Sequence, residues 1–125
     1  IDGVKERVKK LQRELKIFLL TADTYGLGKE IADELEIGLI MVGGDSGGVD
    51  KSSFLNSLGA EKTVAIGNGF NDRLMLAGAG LAIAVIGDEG CCLKALMNSD
   101  IAVNNIVDGL DLLINPIRII ATLRA

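Results

Sequence analysis

Short apolar runs alternate with segments of helical periodicity along the chain, and this alternation restricts the folds that are open to it. The apolar runs predict strands at residues 17–20, 38–42, 63–66, 81–85 and 101–103. Helical segments separate these runs, and the connections between the elements are short. Strands and helices that alternate in this way predict an α/β fold, with a doubly wound parallel sheet and helices on both faces.

The run at residues 17–20 is apolar throughout, which predicts a strand buried on both faces. Asp2 is placed to cap the first helix. No repeat, low-complexity tract or linker interrupts the 125 residues, so a single domain over residues 1–125 is predicted. The predicted helices span residues 2–15, 27–35, 51–58, 72–77, 91–97 and 106–113, and Asn115 with Pro116 starts a last one.

Composition narrows the classes of function. The chain has no His and no Trp, and only 3% of its residues are aromatic, which excludes histidine chemistry and the stacking platforms of single-strand binders. A net charge of −4 opposes a nucleic-acid partner. The apolar runs fall short of the roughly 20 residues that span a membrane, and no signal-peptide pattern is present. Adjacent Cys91 and Cys92 indicate free thiols in a reducing compartment, so we expect a cytoplasmic protein.

Candidate phosphate-binding residues follow two of the predicted strands. Ligands of open parallel sheets bind beyond the carboxyl ends of the strands. Thr21, Ala22 and Asp23 follow the first strand and offer a hydroxyl, backbone amides and a carboxylate. Lys51 starts the helix after the second strand, from which its ammonium could reach the same crevice. This combination suits a bound phosphoryl group.

Candidate metal ligands follow the third predicted strand, in the glycine-rich loop at residues 67–72. Its glycines allow a tight turn, and Asn68, Asn71 and Asp72 present oxygen atoms where a helix starts. Oxygen ligands of this kind suit Mg²⁺. The sequence therefore predicts a phosphoryl group held beside Mg²⁺.

Each candidate taken alone also has a simpler interpretation. Thr21 could cap the next helix, Lys51 could be a solvated surface charge, and Asp72 could be a helix N-cap. The glycine pattern matches neither the dinucleotide-binding fingerprint nor the P-loop. The functional interpretation rests on the order and placement of the residues together.

That order resembles a known set of motifs. Residues 20–23 (Leu-Thr-Ala-Asp), Lys51 and residues 67–72 (Gly-Asn-Gly-Phe-Asn-Asp) look like the second, third and fourth motifs of the haloacid dehalogenase-like (HAD) superfamily, in the variety found in P-type ATPase phosphorylation domains and their small soluble relatives. The resemblance covers almost the whole chain and implies a HAD-like Rossmannoid fold and a Mg²⁺-dependent phosphatase. The short connections leave no room for the large cap that many members carry.

The resemblance also implies a role for each residue. Thr21 would donate its hydroxyl to a phosphate oxygen, and Lys51 would neutralise charge on the phosphate and on the attacked carboxylate. Asp72 would help to hold Mg²⁺. Asn68 would stand at the other metal position, where the family usually has Asp, so metal affinity should be weaker. Asp23 corresponds to the acid of the ATPase Thr-Gly-Asp motif, with Ala22 in place of glycine.

The first motif of the superfamily, Asp-x-x-Gly-Thr, does not occur in the 125 residues. Its first Asp is the nucleophile, and in relatives it ends the central strand, just before the helix that here begins at Asp2. We expect this motif on a segment upstream. Without its strand, the strands ending at Leu20 and Ile66 would either leave a slot between them or pair directly.

Two functional hypotheses follow. The first is a Mg²⁺-dependent phosphatase of the soluble P-type-ATPase-like group, which would act on a small phosphorylated substrate. Without the nucleophile, the 125 residues alone would be inactive. The second is a non-catalytic remnant that binds phosphate or a nucleotide, or an oligomerising scaffold. A receiver-like signalling domain is set aside, because its acidic cluster after the first strand is missing. Neither hypothesis includes a nucleic-acid or membrane partner.

Overall fold

The computed structural model describes residues 2–22, 26–43 and 47–116, and within them five strands alternate with six helices. Every strand pairing among them is parallel. The predicted α/β fold is therefore confirmed. In chain order the elements are α1 (Val4–Leu11), β1 (Phe18–Thr21), α2 (Leu27–Leu35), β2 (Gly38–Met41), α3 (Gly47–Ser57), β3 (Val64–Gly67), α4 (Arg73–Gly78), β4 (Leu81–Val85), α5 (Leu93–Met97), β5 (Ile101–Val103) and α6 (Ile106–Ile114).

The strands form two sheets. β1 pairs with β2, and β3, β4 and β5 form a second sheet in that order. Among the described residues no ladder joins β1 to β3. Of the two outcomes that the sequence left open, the structure therefore shows the slot and not the direct pairing. We call the space between the unpaired edges of β1 and β3 the β1–β3 gap.

Two apolar clusters lie on opposite faces of the sheets. Ala65 belongs to one cluster and its neighbour Ile66 packs against the other, and successive side chains of a strand point to opposite faces. Leu20 and Ile17, at the other side of the gap, divide between the same two clusters. The α3–α4 cluster has the buried members Leu55, Ala65, Met75, Leu76, Ala82 and Ala95. The α1–α6 cluster has the buried members Val8, Leu11 and Leu110. Helices therefore cover both faces, as predicted.

β1 is less buried than its composition predicts. All four of its residues are only half-buried, whereas Ile83 and Ala84 of β4 are fully enclosed. The prediction that residues 17–20 are buried on both faces is therefore wrong. The physical reason is that, within the described part of the chain, β1 pairs with a strand on one edge only. Val64, at the start of β3, is likewise 38% exposed.

Some predicted helix ends also differ from the structure. α1 begins at Val4 after Gly3, which has a φ of 92° and makes no side-chain cap, so the prediction that Asp2 caps this helix is wrong. α3 begins at Gly47, four residues before the predicted start at Lys51. The predicted last helix falls mainly on residues 117–125, which lie outside the described residues. Within the described part of the chain, no helix is long and apolar enough to cross a membrane.

Candidate functional site

A lysine–aspartate ion pair lies beside the carboxyl end of β3. Lys51, in the second turn of α3, donates from Nζ to Oδ1 of Asp72 over 2.7 Å. The two side chains are only 16% and 10% exposed. Because α3 follows β2 and Asp72 follows β3, the pair connects the two sheets across the carboxyl end of the β1–β3 gap.

The other oxygen of Asp72 fixes the glycine-rich loop. Oδ2 accepts hydrogen bonds from the backbone N–H groups of Asn68 and Gly69, each over 3.0 Å. A β-carbon on Gly67 would lie 2.6 Å from this carboxyl group, so only glycine leaves room for it. Asp72 stands at the N-cap position of α4, as its simpler interpretation predicts, but its carboxylate bonds the preceding loop and accepts no N–H group of that helix.

Thr21 is the last residue of β1, at the carboxyl edge of the same gap. Its carbonyl oxygen accepts a hydrogen bond from the Val42 amide over 3.0 Å, and the residue is half-buried. The N-cap position of α2 is Gly26, so Thr21 does not cap that helix. Ala22 follows as an exposed residue, and Asp23 lies outside the described residues.

Asn68 and Asn71 lie on the exposed side of the loop. The carbonyl oxygen of Asn68 accepts a hydrogen bond from the Cys92 amide over 2.8 Å, which attaches the loop to the start of α5. Asn71 lies against the first residues of α3, where a β-carbon on Gly48 would come within 3.3 Å of the Asn71 carbonyl oxygen. Gly48 thus lets α3 approach the loop closely, a role that the glycine-rich stretch in the sequence did not reveal.

The described residues do not by themselves fit Mg²⁺. They contain no cluster of three His, Cys, Asp or Glu residues that could hold a metal ion. Asp72 is the one carboxylate of the predicted ligand set, and its two oxygens already accept an ammonium N–H and two amide N–H groups. A divalent cation on Asp72 would lie beside the Lys51 ammonium and be repelled by it. Asn68 and Asn71 would add only uncharged oxygens.

An arginine and an aromatic ring border the loop, and sequence reasoning missed them. The guanidinium carbon of Arg73 lies 3.7 Å from the centroid of the Phe70 ring, a cation–π contact. Arg73 also donates to the carbonyl oxygen of Phe70 over 3.0 Å. Phe70 is 52% exposed. In the sequence, only the spacing of three residues between Phe70 and Arg73, within one helical turn, could have indicated this contact.

The adjacent cysteines lie behind the loop, and both are free thiols. Each packs against the α3–α4 cluster. Burial raises the pKa of the Cys91 thiol above its ordinary value, and the neighbouring Cys92 and Asp72 raise it further. A higher pKa leaves less thiolate at neutral pH, which agrees with a packing role for Cys91 rather than a nucleophilic one.

Comparison with known proteins finds a sequence relative and solved structures of similar fold. No protein-family model matches the chain. The chain is 55% identical over 64 residues to the uncharacterized protein MJ0073 of Methanocaldococcus jannaschii, a match that covers 51% of this chain and 69% of that protein. A protein of Streptomyces avermitilis MA-4680 described as a HAD family hydrolase has a similar structure, with a TM-score of 0.65, 14% sequence identity, and coverage of 86% of this chain and 69% of the other. At that identity the similarity establishes the HAD-like fold alone.

Proposed function

This chain belongs to the same family as the M. jannaschii protein MJ0073, and from its HAD-like fold we propose that it is the phosphate-binding core of a phosphatase related to P-type ATPase phosphorylation domains. One observation carries the proposal. The Lys51 ammonium is held by Asp72 at the carboxyl edge of the sheets, where ligands of this fold class bind. A lysine that a buried aspartate fixes in this position can direct its remaining N–H groups at an anion.

Several residues of this chain would each contribute to binding a phosphoryl group. Lys51 has three N–H donors, and its contact with Asp72 uses one of them. Among the described residues the other two have no partner, and they can bind phosphate oxygens with charge-assisted hydrogen bonds. Thr21 would add its hydroxyl and Ala22 its amide from the end of β1, and Asp23 belongs to the same segment. Asp72 acts as a positioning residue for Lys51.

Covalent phosphoryl transfer needs a carboxylate nucleophile, and the 125 residues contain no Asp-x-x-Gly-Thr motif to supply it. Magnesium, which the resemblance implies, would need a second carboxylate besides Asp72. We therefore propose that this chain binds phosphate without turning it over. A longer polypeptide that includes the first motif is expected to hydrolyse small phosphate esters and to lose this activity when Asp72→Ala is introduced.

A second candidate function is a non-catalytic phosphate- or nucleotide-binding protein. The satisfied hydrogen bonds of Asp72 and the amide at position 68 favour it, because the Lys51–Asp72 pair is neutral overall and offers no second carboxylate for a metal ion. The two candidates make the same prediction for binding by this chain. They differ in whether the longer polypeptide turns over p-nitrophenyl phosphate.

Calorimetric titration of the chain with inorganic phosphate, with and without MgCl₂, tests the proposal. Saturable binding is expected, and Lys51→Met should weaken it by about tenfold or more, because a charge-assisted hydrogen bond contributes roughly 1.5–3 kcal/mol. Lys29→Met is the matched control. Lys29 forms an exposed pair with Asp33 over 3.7 Å on α2, and its loss should leave phosphate binding unchanged. Absence of binding, or equal losses in the two variants, would refute the assigned site.

A further inference from the structure

Arg73 is a cation beside the phosphate site that the proposed function leaves without a role. It is the first residue of α4, it directly follows Asp72 in the chain, and it is half-buried. Among the described residues, no ion pair involves Arg73. A partly buried charge without a partner is unfavourable, so a bound anion would stabilise this guanidinium.

Two contacts hold the Arg73 side chain in place. Its guanidinium carbon lies 3.7 Å from the centroid of the Phe70 ring, and Nη1 donates to the Phe70 carbonyl oxygen over 3.0 Å. A guanidinium has five N–H donors, and those on Nε and Nη2 have no hydrogen-bond partner among the described residues. The edge that carries Nε and Nη2 can donate two parallel hydrogen bonds to a carboxylate or phosphate group.

Arg73 and Lys51 approach the same face of α3. A β-carbon on Gly48 would lie 3.8 Å from Nη1 of Arg73, whereas Lys51, three residues later in the helix, donates to Asp72. Residues three apart on a helix share a face, and their β-carbon positions lie roughly 5–6 Å apart. Two cations that are one helical turn apart can contact a single small ligand.

Arg73 is the outer of these two cations. α3 begins after β2 ends and ends before β3 begins, so its axis runs from the carboxyl edge of the sheets back to the amino edge. At a rise of 1.5 Å per residue, position 48 lies about 4.5 Å farther beyond the carboxyl edge than Lys51 does. A ligand whose phosphoryl group contacts Lys51 would therefore extend outward past Arg73 and past Phe70, which is 52% exposed.

We propose that Arg73 is a specificity-determining residue, which binds a second anionic group of the ligand whose phosphoryl group Lys51 binds. This inference rests on the proposed phosphate site. It narrows the substrate class to small phosphate esters that carry a carboxylate or a second phosphate group a few bonds from the first. The phosphoryl group lies innermost, and the second anionic group accepts hydrogen bonds from Nε and Nη2 of Arg73. Phe70 acts as a positioning residue for Arg73.

Calorimetric titration with three non-hydrolysable phosphonates tests the inference. Propylphosphonate has one anionic group and tests the phosphate site alone. Phosphonopropionate has a carboxylate in place of the terminal methyl group, and ethylenediphosphonate has a second phosphonate there. At least one of these two should bind about tenfold or more tightly than propylphosphonate, because Arg73 adds charge-assisted hydrogen bonds. The probe that gains affinity identifies the second group as a carboxylate or a phosphate.

The overall charge of the protein makes this preference informative. The chain has a net charge of −4, which opposes the binding of a further negative charge at any position without a local cation. Tighter binding of a doubly anionic probe therefore indicates a second cation at the site.

Substitutions then assign the preference to Arg73. Arg73→Met should abolish it, measured as the ratio of the Kd values of the two kinds of probe. Arg73→Lys keeps the charge without the paired N–H groups and should lower the ratio at least about threefold, the effect of one hydrogen bond. Arg13→Met is the matched control, because Arg13 is an exposed arginine in the turn after α1, and its loss should leave the ratio unchanged. If Arg73→Met does not fold, Arg73→Lys makes the same test.

Three results would overturn the inference, and they differ in what they say about the phosphate site. If propylphosphonate binds and loses affinity in Lys51→Met, but neither second group adds affinity, the phosphate site stands and the role of Arg73 is refuted. If the Arg73 variants keep the full preference, the second anionic group binds elsewhere. If none of the three probes binds, the proposed phosphate site fails, and the inference fails with it.

Discussion

The two sheets are built from equally apolar strands, yet they are buried to different degrees. In the three-stranded sheet, β4 lies between two neighbours, and Ala82, Ile83 and Ala84 are at most 1% exposed. In the two-stranded sheet, every residue of β1 is half-buried, and Met41 of β2 is 55% exposed. The difference shows that the neighbours of a strand, and not its own hydropathy, determine how far it is buried.

Pairs of oppositely charged side chains also connect the two sheets. Lys51 and Asp72 join them at the carboxyl edge of the gap, and Arg7 of α1 donates to Asp111 of α6 over 2.7 Å on the other face. Asp111 raises the pKa of Arg7 above its ordinary value through this hydrogen bond, so Arg7 stays charged. Polar pairs thus cross a junction where backbone hydrogen bonds would join the strands of a continuous sheet.

The largest expected effect comes from truncating one apolar side chain in each sheet. Ile83→Ala, in the closed sheet, should lower the free energy of unfolding by about 3–4 kcal/mol, because it empties a fully enclosed site. Leu20→Ala, beside the gap, should cost only about 1–2 kcal/mol, because the side chain is half-exposed already. Urea unfolding of both variants measures the difference. Equal losses would mean that β1 is covered in solution, and the difference in burial between the two sheets would then not hold.

Removal of the aspartate at the junction should have a smaller but clear effect. Asp72→Ala leaves Lys51 and two backbone amides without their acceptor and should cost about 2–3 kcal/mol in the same unfolding experiment. Asp72→Asn keeps an acceptor for the amides and should cost less. Asp33→Ala, which removes the exposed partner of Lys29, should stay within about 0.5 kcal/mol. A loss for Asp72→Ala as small as this control would show that the pair does not stabilise the junction.

The smallest expected effect concerns the titration and reactivity of the Cys91 thiol, which packs against the α3–α4 cluster. Because burial raises its pKa, the folded protein holds the thiol proton to higher pH than the unfolded chain does. The stability that this group contributes is therefore complete below the unfolded pKa and is lost as pH rises through the folded one. In a Cys92→Ser variant, Cys91 should react with iodoacetamide at pH 8 more slowly than a free cysteine peptide. A faster reaction would contradict the assigned burial.

The sequence predicted the fold class and the order of strands and helices, because periodicity and turn residues are local signals. It did not predict the half-exposure of residues 17–20. An apolar run has the same appearance whether it has one neighbouring strand or two, and β1 pairs with one strand among the described residues.

For the site, the sequence placed Lys51 and Asp72 in one crevice, and the structure brings them into direct contact. That contact spans 21 positions of the chain and depends on α3 starting at Gly47, a boundary that the sequence placed four residues too late. Pairing of this kind is a tertiary property that no local pattern encodes. The catalytic and metal-binding roles of these residues, and the part of Asp23, stay predictions.

The close approach of the Asp72 carboxyl group to Gly67 has a consequence for how this protein can evolve. Every amino acid other than glycine carries a β-carbon, so any base change that replaces the glycine moves the carboxylate that holds both the loop and Lys51. Position 67 therefore accepts synonymous codon changes but no replacement of glycine that leaves the Asp72 carboxyl group where it is. A replacement at position 67 requires the Asp72 side chain to shift, so the changes that these two positions accept depend on each other.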